Sequence, residues 1–208
     1  QSHFGDRLRV YEESEVVEVR PVTIDQNQRH SGNGVNVADE VMVKTREGAV
    51  RAEKVIVAVG NPAQLFPELN QILSSCVTYV LAARYQSPPL PDHLYWDTLD
   101  PYFYYRLADA TTVMVGGCDI DARRTATQEP YQKLAAFLHQ RIPGAFTTTH
   151  QWSGSIFHTI DGLPYADAHP HYGGKVLIVT GLGGNGLVMG SLCARVVSDF
   201  VLGQEDTL

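Results

Sequence analysis

Apolar residues in this chain fall first into short runs, then into aromatic alternation, then into a helical stripe, and finally into a run followed by a second helix. Val16–Val19 and Val41–Lys44 are short apolar-rich runs, separated by the polar segment Asp25–Asn36, which reads as a loop. Residues 41–60, VMVKTREGAVRAEKVIVAVG, predict two strands about a tight Glu47-Gly48 turn and a third strand, Val55–Val59. That third run is apolar at every position, which predicts burial on both faces, as in a parallel sheet. Gly60-Asn61-Pro62 ends it.

A meander of β-branched and aromatic runs follows: Val77–Tyr85, Tyr95–Trp96, Tyr102–Leu107 and Thr112–Gly116. Pro88-Pro89, Asp100-Pro101 and Asp109-Ala110 break it into antiparallel strands. A helix is predicted from Glu129, with Pro130 in its first turn and Tyr131, Leu134, Ala135, Leu138 and Ile142 on one face. Pro143-Gly144 stops it. Thr147–Ser153 predicts another strand, and residues 175–203 a strand, a glycine-rich turn and a closing helix. Internal repeats and low-complexity tracts are absent. Strands with buried character at 55–59 and 176–180 flank the antiparallel block. The chain is therefore expected to leave one sheet, build a second domain and return. The fold class is α+β / α/β, an antiparallel sheet domain joined to an incomplete Rossmann-like one.

Composition narrows the partners. With 16 basic and 23 acidic residues among 208, the net charge is −7 and no basic cluster stands out, which argues against nucleic acid or an anionic membrane surface. The longest apolar runs, VIVAV at 55–59 and LIV at 177–179, are far shorter than the roughly 20 residues of a membrane span. Cys76, Cys118 and Cys193 are scattered and odd in number, so neither a disulfide framework nor a zinc knuckle is indicated, and a cytoplasmic setting is expected. The chain opens at Gln1 without an initiating methionine or signal sequence, which suggests a piece of something longer or a mature product.

Gly181, Gly183 and Gly186 satisfy G-x-G-x-x-G, the turn that holds a pyrophosphate at a helix start. A dinucleotide fold also needs a following strand with an acidic residue about 20 positions on, and only five residues follow Gly203. His169-Pro170-His171 has the spacing of a metal pair, but no third ligand is near, so a surface loop is expected; Asp161-Gly162 reads as a turn. No Ser/His/Asp or Cys/His order stands out.

Four stretches, in this order and spacing, carry a resemblance: GAVRAEKVIVAVG (48–60), YYRLAD followed by VMVGG (104–117), WSGSIFHTIDGLPY (152–165) and VTGLGGNGL (179–187). With RLRVYEESEV (7–16), they make the chain resemble the C-terminal part of the D-amino-acid-oxidase-like family of FAD-dependent oxidoreductases, the glycine oxidase, sarcosine oxidase and gamma-glutamylputrescine oxidase type. The resemblance implies residues 1–60 as a returning part of an FAD-binding domain, 61–150 as a substrate-binding sheet domain, and 151–208 as the return to the FAD domain. It implies FAD as cofactor of the full-length protein, held mainly by a missing N-terminal segment. The glycine fingerprint of that segment is expected about 150 to 200 residues before Gln1, from the usual place of the fingerprint on the first strand. The 208-residue chain alone is expected to lack FAD and activity.

The same resemblance implies which residues serve. Ala58 and Gly60 at a strand end, Trp152 and Gly154 near the domain join, and the loop Gly181, Gly183, Gly184, Asn185, Gly186 and Leu187 are the expected cofactor contacts. Loop glycines let backbone approach a flat ring, and N–H groups at a helix start favour its electron-rich edge. Gly60 and loop 181–186 are expected on the same edge of one sheet. Tyr102, Tyr104 and Arg106, alternating on a strand, share one face and suit a small amine or amino-acid substrate; a solvent-facing Tyr–Arg stripe is the alternative. Where family members tend to read W-x-G-[LI]-R-P, this chain reads Trp152-Ser153-Gly154-Ser155-Ile156-Phe157, so Ile156 replaces the arginine that would pair an α-carboxylate. No cysteine lies in 152–165, so a thioether link to flavin is not expected. The implied reaction is hydride transfer to flavin from a C–H beside an amine nitrogen. A non-catalytic binding module and a nicotinamide-binding domain are the alternatives.

Overall fold

The computed structural model describes residues 7–22, 40–87, 90–124 and 127–204; the polar loop expected at 25–36 lies outside them. The chain divides into two compact units, residues up to 72 with those from 161 onward, and residues 73–160 between them. These boundaries fall later than 60/61 and 150/151, for a physical reason at each. After Gly60, short 3-10 helices at Pro62–Gln64 and Pro67–Gln71 bury Ala63, Phe66 and Leu69 within the first unit. At the other boundary, the strand expected at 147–153 runs unbroken over Phe146–Thr159.

The first unit holds two three-stranded sheets and one long helix. Strands β1 (Val16–Val22), β2 (Glu40–Thr45) and β3 (Ala49–Ala52) form an antiparallel meander in that order. The second sheet orders β10 (Tyr165–Ala168), β11 (Val176–Thr180) and β4 (Val55–Gly60), with β11 and β4 parallel. Helix α2 (Gly186–Leu202) packs on β10 and β11, burying Cys193 and Val197 beside the core residues Val176, Leu177 and Ile178.

Two expectations fail in this unit. Strand β4 pairs in parallel as predicted, yet Ile56 and Val59 are 51% and 58% exposed. β4 is an edge strand whose only partner among the described residues is β11, so apolar sequence here does not bring burial on both faces. The chain also contains a longer apolar element than its uninterrupted runs show. The helical segment Gly183–Leu202 has 20 residues and a mean hydropathy of 1.3, with 11% of it buried. It is long and apolar enough to cross a bilayer by length and composition alone. Ser191, Arg195, Ser198 and Asp199 break its apolar runs without lowering the mean enough to exclude it.

The second unit is one five-stranded antiparallel sheet and a helix. Its order is β6 (Tyr95–Trp96), β7 (Phe103–Leu107), β8 (Thr112–Asp121), β5 (Leu73–Tyr85), β9 (Phe146–Thr159). Helix α1 (Glu129–Arg141) covers one face. Leu134, Phe137 and Leu138 join Tyr79, Leu81, Ala83 and Tyr85 of β5 and Val113 and Val115 of β8 in the core. The period-2 alternation of β5 therefore sends its odd-numbered residues under α1 and its even-numbered ones to the opposite face.

Candidate functional site

The sequence-predicted residues fall into two sets, one on each unit. On the first unit, β4 and β11 end side by side, with Thr180 in register with Gly60. Buried Thr180 donates its hydroxyl to the Gly60 carbonyl at 2.6 Å, which ties the two strand ends together. Gly181 and Gly183 then turn the chain at φ of 70° and 59°, left-handed values that favour glycine, and residues Gly183–Asn185 form a short 3-10 turn into α2. Asn185, at the start of α2, makes no side-chain cap, so the first N–H groups of the helix have no side-chain acceptor. Leu187 is 92% exposed, and Gly184, Asn185 and Ala58 are exposed too. A Cβ added at Gly60 or at Gly186 would meet nothing within 4 Å. Gly60 and the 181–187 loop thus form an open, donor-rich ledge beyond the carboxyl ends of two parallel strands, where ligands of open α/β sheets sit.

The second set lies on the sheet of the other unit. Directly opposed residues of antiparallel strands point to the same side. Thr78 and Val80 of β5 oppose Gly154 and Trp152 of β9, and Cys76 opposes Ile156. Val80 and Ala82 oppose Gly116 and Met114 of β8, which in turn oppose Tyr104 and Arg106 of β7. Tyr104, Arg106, Trp152, Gly154 and Ile156 therefore share the face turned away from α1. Tyr102 lies one residue before β7, its ring 6.2 Å from that of Tyr104.

Close approach fixes one part of this face. A Cβ on Gly116 would stand 2.2 Å from the Tyr104 ring, so the tyrosine lies directly on the glycine. Desolvation, with the nearby charge of Asp119, raises the phenol pKa of both Tyr102 and Tyr104, so both are neutral hydrogen-bond donors at physiological pH. Arg106 is exposed and gives one N–H to the Leu107 carbonyl at 2.9 Å, leaving donors to spare.

Sequence reasoning missed three members of this face: Thr78, Gly116 and Asp119. Between Val77 and Tyr79 the β5–β8 register shifts, so Thr78 stands opposite Cys118 and Asp119, with Cys118 at a φ of 55°. The shift is a β-bulge, a device that re-aims side chains. Thr78 Oγ1 and Asp119 Oδ1 are both buried without a hydrogen bond of normal geometry. The Gly116-Gly117 pair, two residues before an aspartate in an aromatic sheet, was the available signal.

The His169-Pro170-His171 reading needs correction. Far from forming a surface loop, His169 is 3% exposed and packs against Phe66, the ring centroids 4.8 Å apart and the planes tilted by 40°. Its Nδ1 accepts the His171 N–H at 3.2 Å, so its Nε2 carries the proton and donates to Glu68 Oε1 at 2.6 Å. Among the described residues no group of three metal-ligating side chains occurs. The three cysteines are free; Cys76 Sγ lies 3.7 Å from His158 Nε2, and burial with the charges of Asp119 and Asp121 raises its pKa.

Residues 7–200 match the FAD dependent oxidoreductase (DAO) family, and the chain belongs to it. No curated protein matches the sequence. Among solved structures, the chain is similar to glycine oxidase from Geobacillus kaustophilus, with a TM-score of 0.72 and 20% identity over 95% of this chain and 50% of that one. It is similar also to iminodiacetate oxidase from Chelativorans sp. BNC1, with a TM-score of 0.71 and 16% identity over 91% of this chain and 50% of the other. A third is NikD, described as an unusual amino acid oxidase essential for nikkomycin biosynthesis, with a TM-score of 0.68 and 17% identity over 93% and 52%. The chain spans about half the length of these structures, and at such identities the likeness establishes the fold.

Proposed function

We propose that this chain supplies the substrate-binding unit and part of the cofactor-binding unit of an FAD-dependent oxidoreductase that acts on amines or N-substituted compounds. The observation that carries the reading is the ledge at Gly60 and Gly181–Leu187: left-handed glycines, an uncapped helix start and open space beyond two parallel strand ends. These features fit the edge of a flat, electron-rich ring. FAD, when bound, supplies the acceptor for the hydride that leaves a C–H beside the substrate nitrogen. The nitrogen lone pair closes the C=N bond as that hydride departs, so the reacting nitrogen must be unprotonated. The residues of this chain would bind and orient: the loop N–H groups would hold the flavin, and the neutral Tyr102 and Tyr104 phenols would offer donors to the substrate.

Ile156 supports the choice of substrate. It occupies the position where the family resemblance expects an arginine, on the same sheet face as Tyr104 and Arg106. A carboxylate buried against it unpaired would cost several kcal/mol. Arg106 is then available for an acid group at the far end of a longer substrate.

The exposed apolar side chains of the first unit support a further segment of the same polypeptide as their cover. Ile56 and Val59 on β4 and Leu187, Val188 and Leu202 on α2 are all exposed. That segment would carry the pyrophosphate-binding fingerprint. The test is the full-length gene product with a panel of amines, N-methyl amino acids and free amino acids, following flavin bleaching without oxygen. Reduction by amines ahead of glycine and D-alanine is expected. If glycine or D-alanine is faster than every amine, the reading of position 156 is wrong; if nothing on the panel bleaches the flavin, the oxidoreductase reading falls.

A further inference from the structure

Strand β6 places a tryptophan on the sheet face that carries Tyr104. Trp96 opposes Tyr104, which opposes Gly116, then Val80, then Trp152, so one row of residues crosses the whole sheet. The neighbour of Trp96 confirms which side it takes. Tyr95 stacks on Tyr105 with ring centroids 4.8 Å apart, and Tyr105 meets Phe137 of α1 edge to face. Trp96, the next residue of the same strand, is therefore directed to the face away from α1.

Its exposure is not that of a loose strand end. Asp97 Oδ1 accepts the N–H groups of Leu99 at 3.2 Å and of Phe103 at 3.0 Å, and the Asp97 N–H donates to the Phe103 carbonyl at 3.0 Å. On the other side, the Tyr95 hydroxyl donates to the Pro91 carbonyl at 3.1 Å. Trp96 thus stands on a hairpin tied down before and after it, yet it is 67% exposed. Beside it the Tyr104 ring lies on Gly116, with its hydroxyl against that of Thr78. Gly116 has no side chain and Val80 is buried, so the middle of the row is a shallow floor with Trp96 at its edge. Four strand spacings of about 4.8 Å separate Trp96 from Trp152, too many for one ring to touch both, whereas Tyr104 is one spacing away. An aliphatic group laid on this pair gains only the area it covers. An aromatic ring gains the offset or edge contact of ring on ring as well.

We infer that Trp96 is a specificity-determining residue that, with Tyr104, holds an aromatic ring of the substrate, so that the substrate class is an aryl-bearing amine. This rests on the amine reading above. The C–H beside the reacting nitrogen must meet the cofactor, so the ring that occupies Trp96 belongs to the other end of the molecule.

The test is calorimetric titration of the full-length protein with phenethylamine and with cyclohexylethylamine, which share one carbon skeleton, flat in the first and puckered in the second. Oxygen is excluded and the flavin is reduced beforehand with dithionite, so no hydride can be accepted and the heat reports binding alone. Burial of apolar area by itself favours the saturated ring, which has more of it; a preference for the flat ring reads ring-on-ring contact. The unaltered protein is expected to bind phenethylamine about two- to tenfold more tightly than cyclohexylethylamine. Trp96→Leu, which keeps apolar bulk and removes the ring, should abolish that preference, and Trp96→Phe should retain part of it. Neither should lower Tm, because the side chain is exposed. The inference is overturned if neither amine binds, if the saturated amine binds as tightly as the aromatic one, if Trp96→Leu keeps the preference, or if Trp96→Phe loses it as Trp96→Leu does. None of these results depends on whether amines bleach the oxidised flavin, so the two readings fail separately.

Discussion

Two adjacent glycines on β8 separate a replaceable contact from an irreplaceable one. At Gly116, a Cβ would lie 2.2 to 2.6 Å from Cζ, Oη and Cε2 of Tyr104, the far end of a side chain that can rotate away. At Gly117, a Cβ would lie 2.4 Å from the backbone carbonyl oxygen of Tyr102, and φ is 133°. No rotamer relieves that clash, because the obstacle is the neighbouring strand itself. Gly116→Ala should therefore cost about 1 kcal/mol, the low end of an overpacking penalty. Gly117→Ala adds backbone strain to the same kind of clash, and a loss of about 3 kcal/mol or more is expected. For a chain of this size that corresponds to a fall in Tm of about 6 to 12 °C against about 2 to 4 °C for Gly116→Ala. The two variants should differ in the opposite sense at the site, because only Gly116→Ala lifts Tyr104 off the face it shares with Arg106. Thermal and urea unfolding give the first order, and anaerobic bleaching of the flavin of the full-length protein by an amine gives the second. Equal or reversed Tm losses would refute the packing argument, since the clash with main chain would then be no worse than the clash with a ring.

The carboxyl pKa of Glu68 is lowered by a backbone hydrogen bond and by His169. Its contribution to stability is present above the ordinary carboxylate range and is lost as pH falls through the lowered value. Glu68→Gln should accordingly reduce Tm at pH 7, by a small amount because the side chain is half exposed, and the difference should vanish in acid unfolding scans. Cys76 is held protonated by burial and by the charges of Asp119 and Asp121, so Asp119→Asn should speed its alkylation at pH 8, read by mass spectrometry; an unchanged rate would place Asp119 too far from the thiol. On the proposed reading, in which the ledge at 181–187 meets the flavin ring and the rest of the cofactor is held elsewhere, the 208-residue chain purified alone is expected to be colourless; stoichiometric yellow absorbance surviving gel filtration would refute this.

Local chemistry made much of this protein legible in its sequence. The parallel pair at 55–60 and 176–180, the antiparallel aromatic block and the Glu129 helix each follow from the period of their own residues, because strand and helix patterns are short-range properties. Glycines at 181 and 183 likewise announce a turn that only left-handed backbone can make. Three things needed the folded chain. The exposure of Ile56 and Val59 depends on which strand stands at a sheet edge, and no property of an apolar run records its neighbours. The burial of His169 depends on Phe66 and Glu68, about a hundred residues away along the chain. The Asp119–Thr78 meeting depends on a one-residue slip in β5–β8 pairing, and a slip changes which side chains share a face without altering the composition of either strand. Sequence periodicity determines what each segment is. Pairing and register, set by contacts distant along the chain, decide which segments share a face, and so which residues stand together.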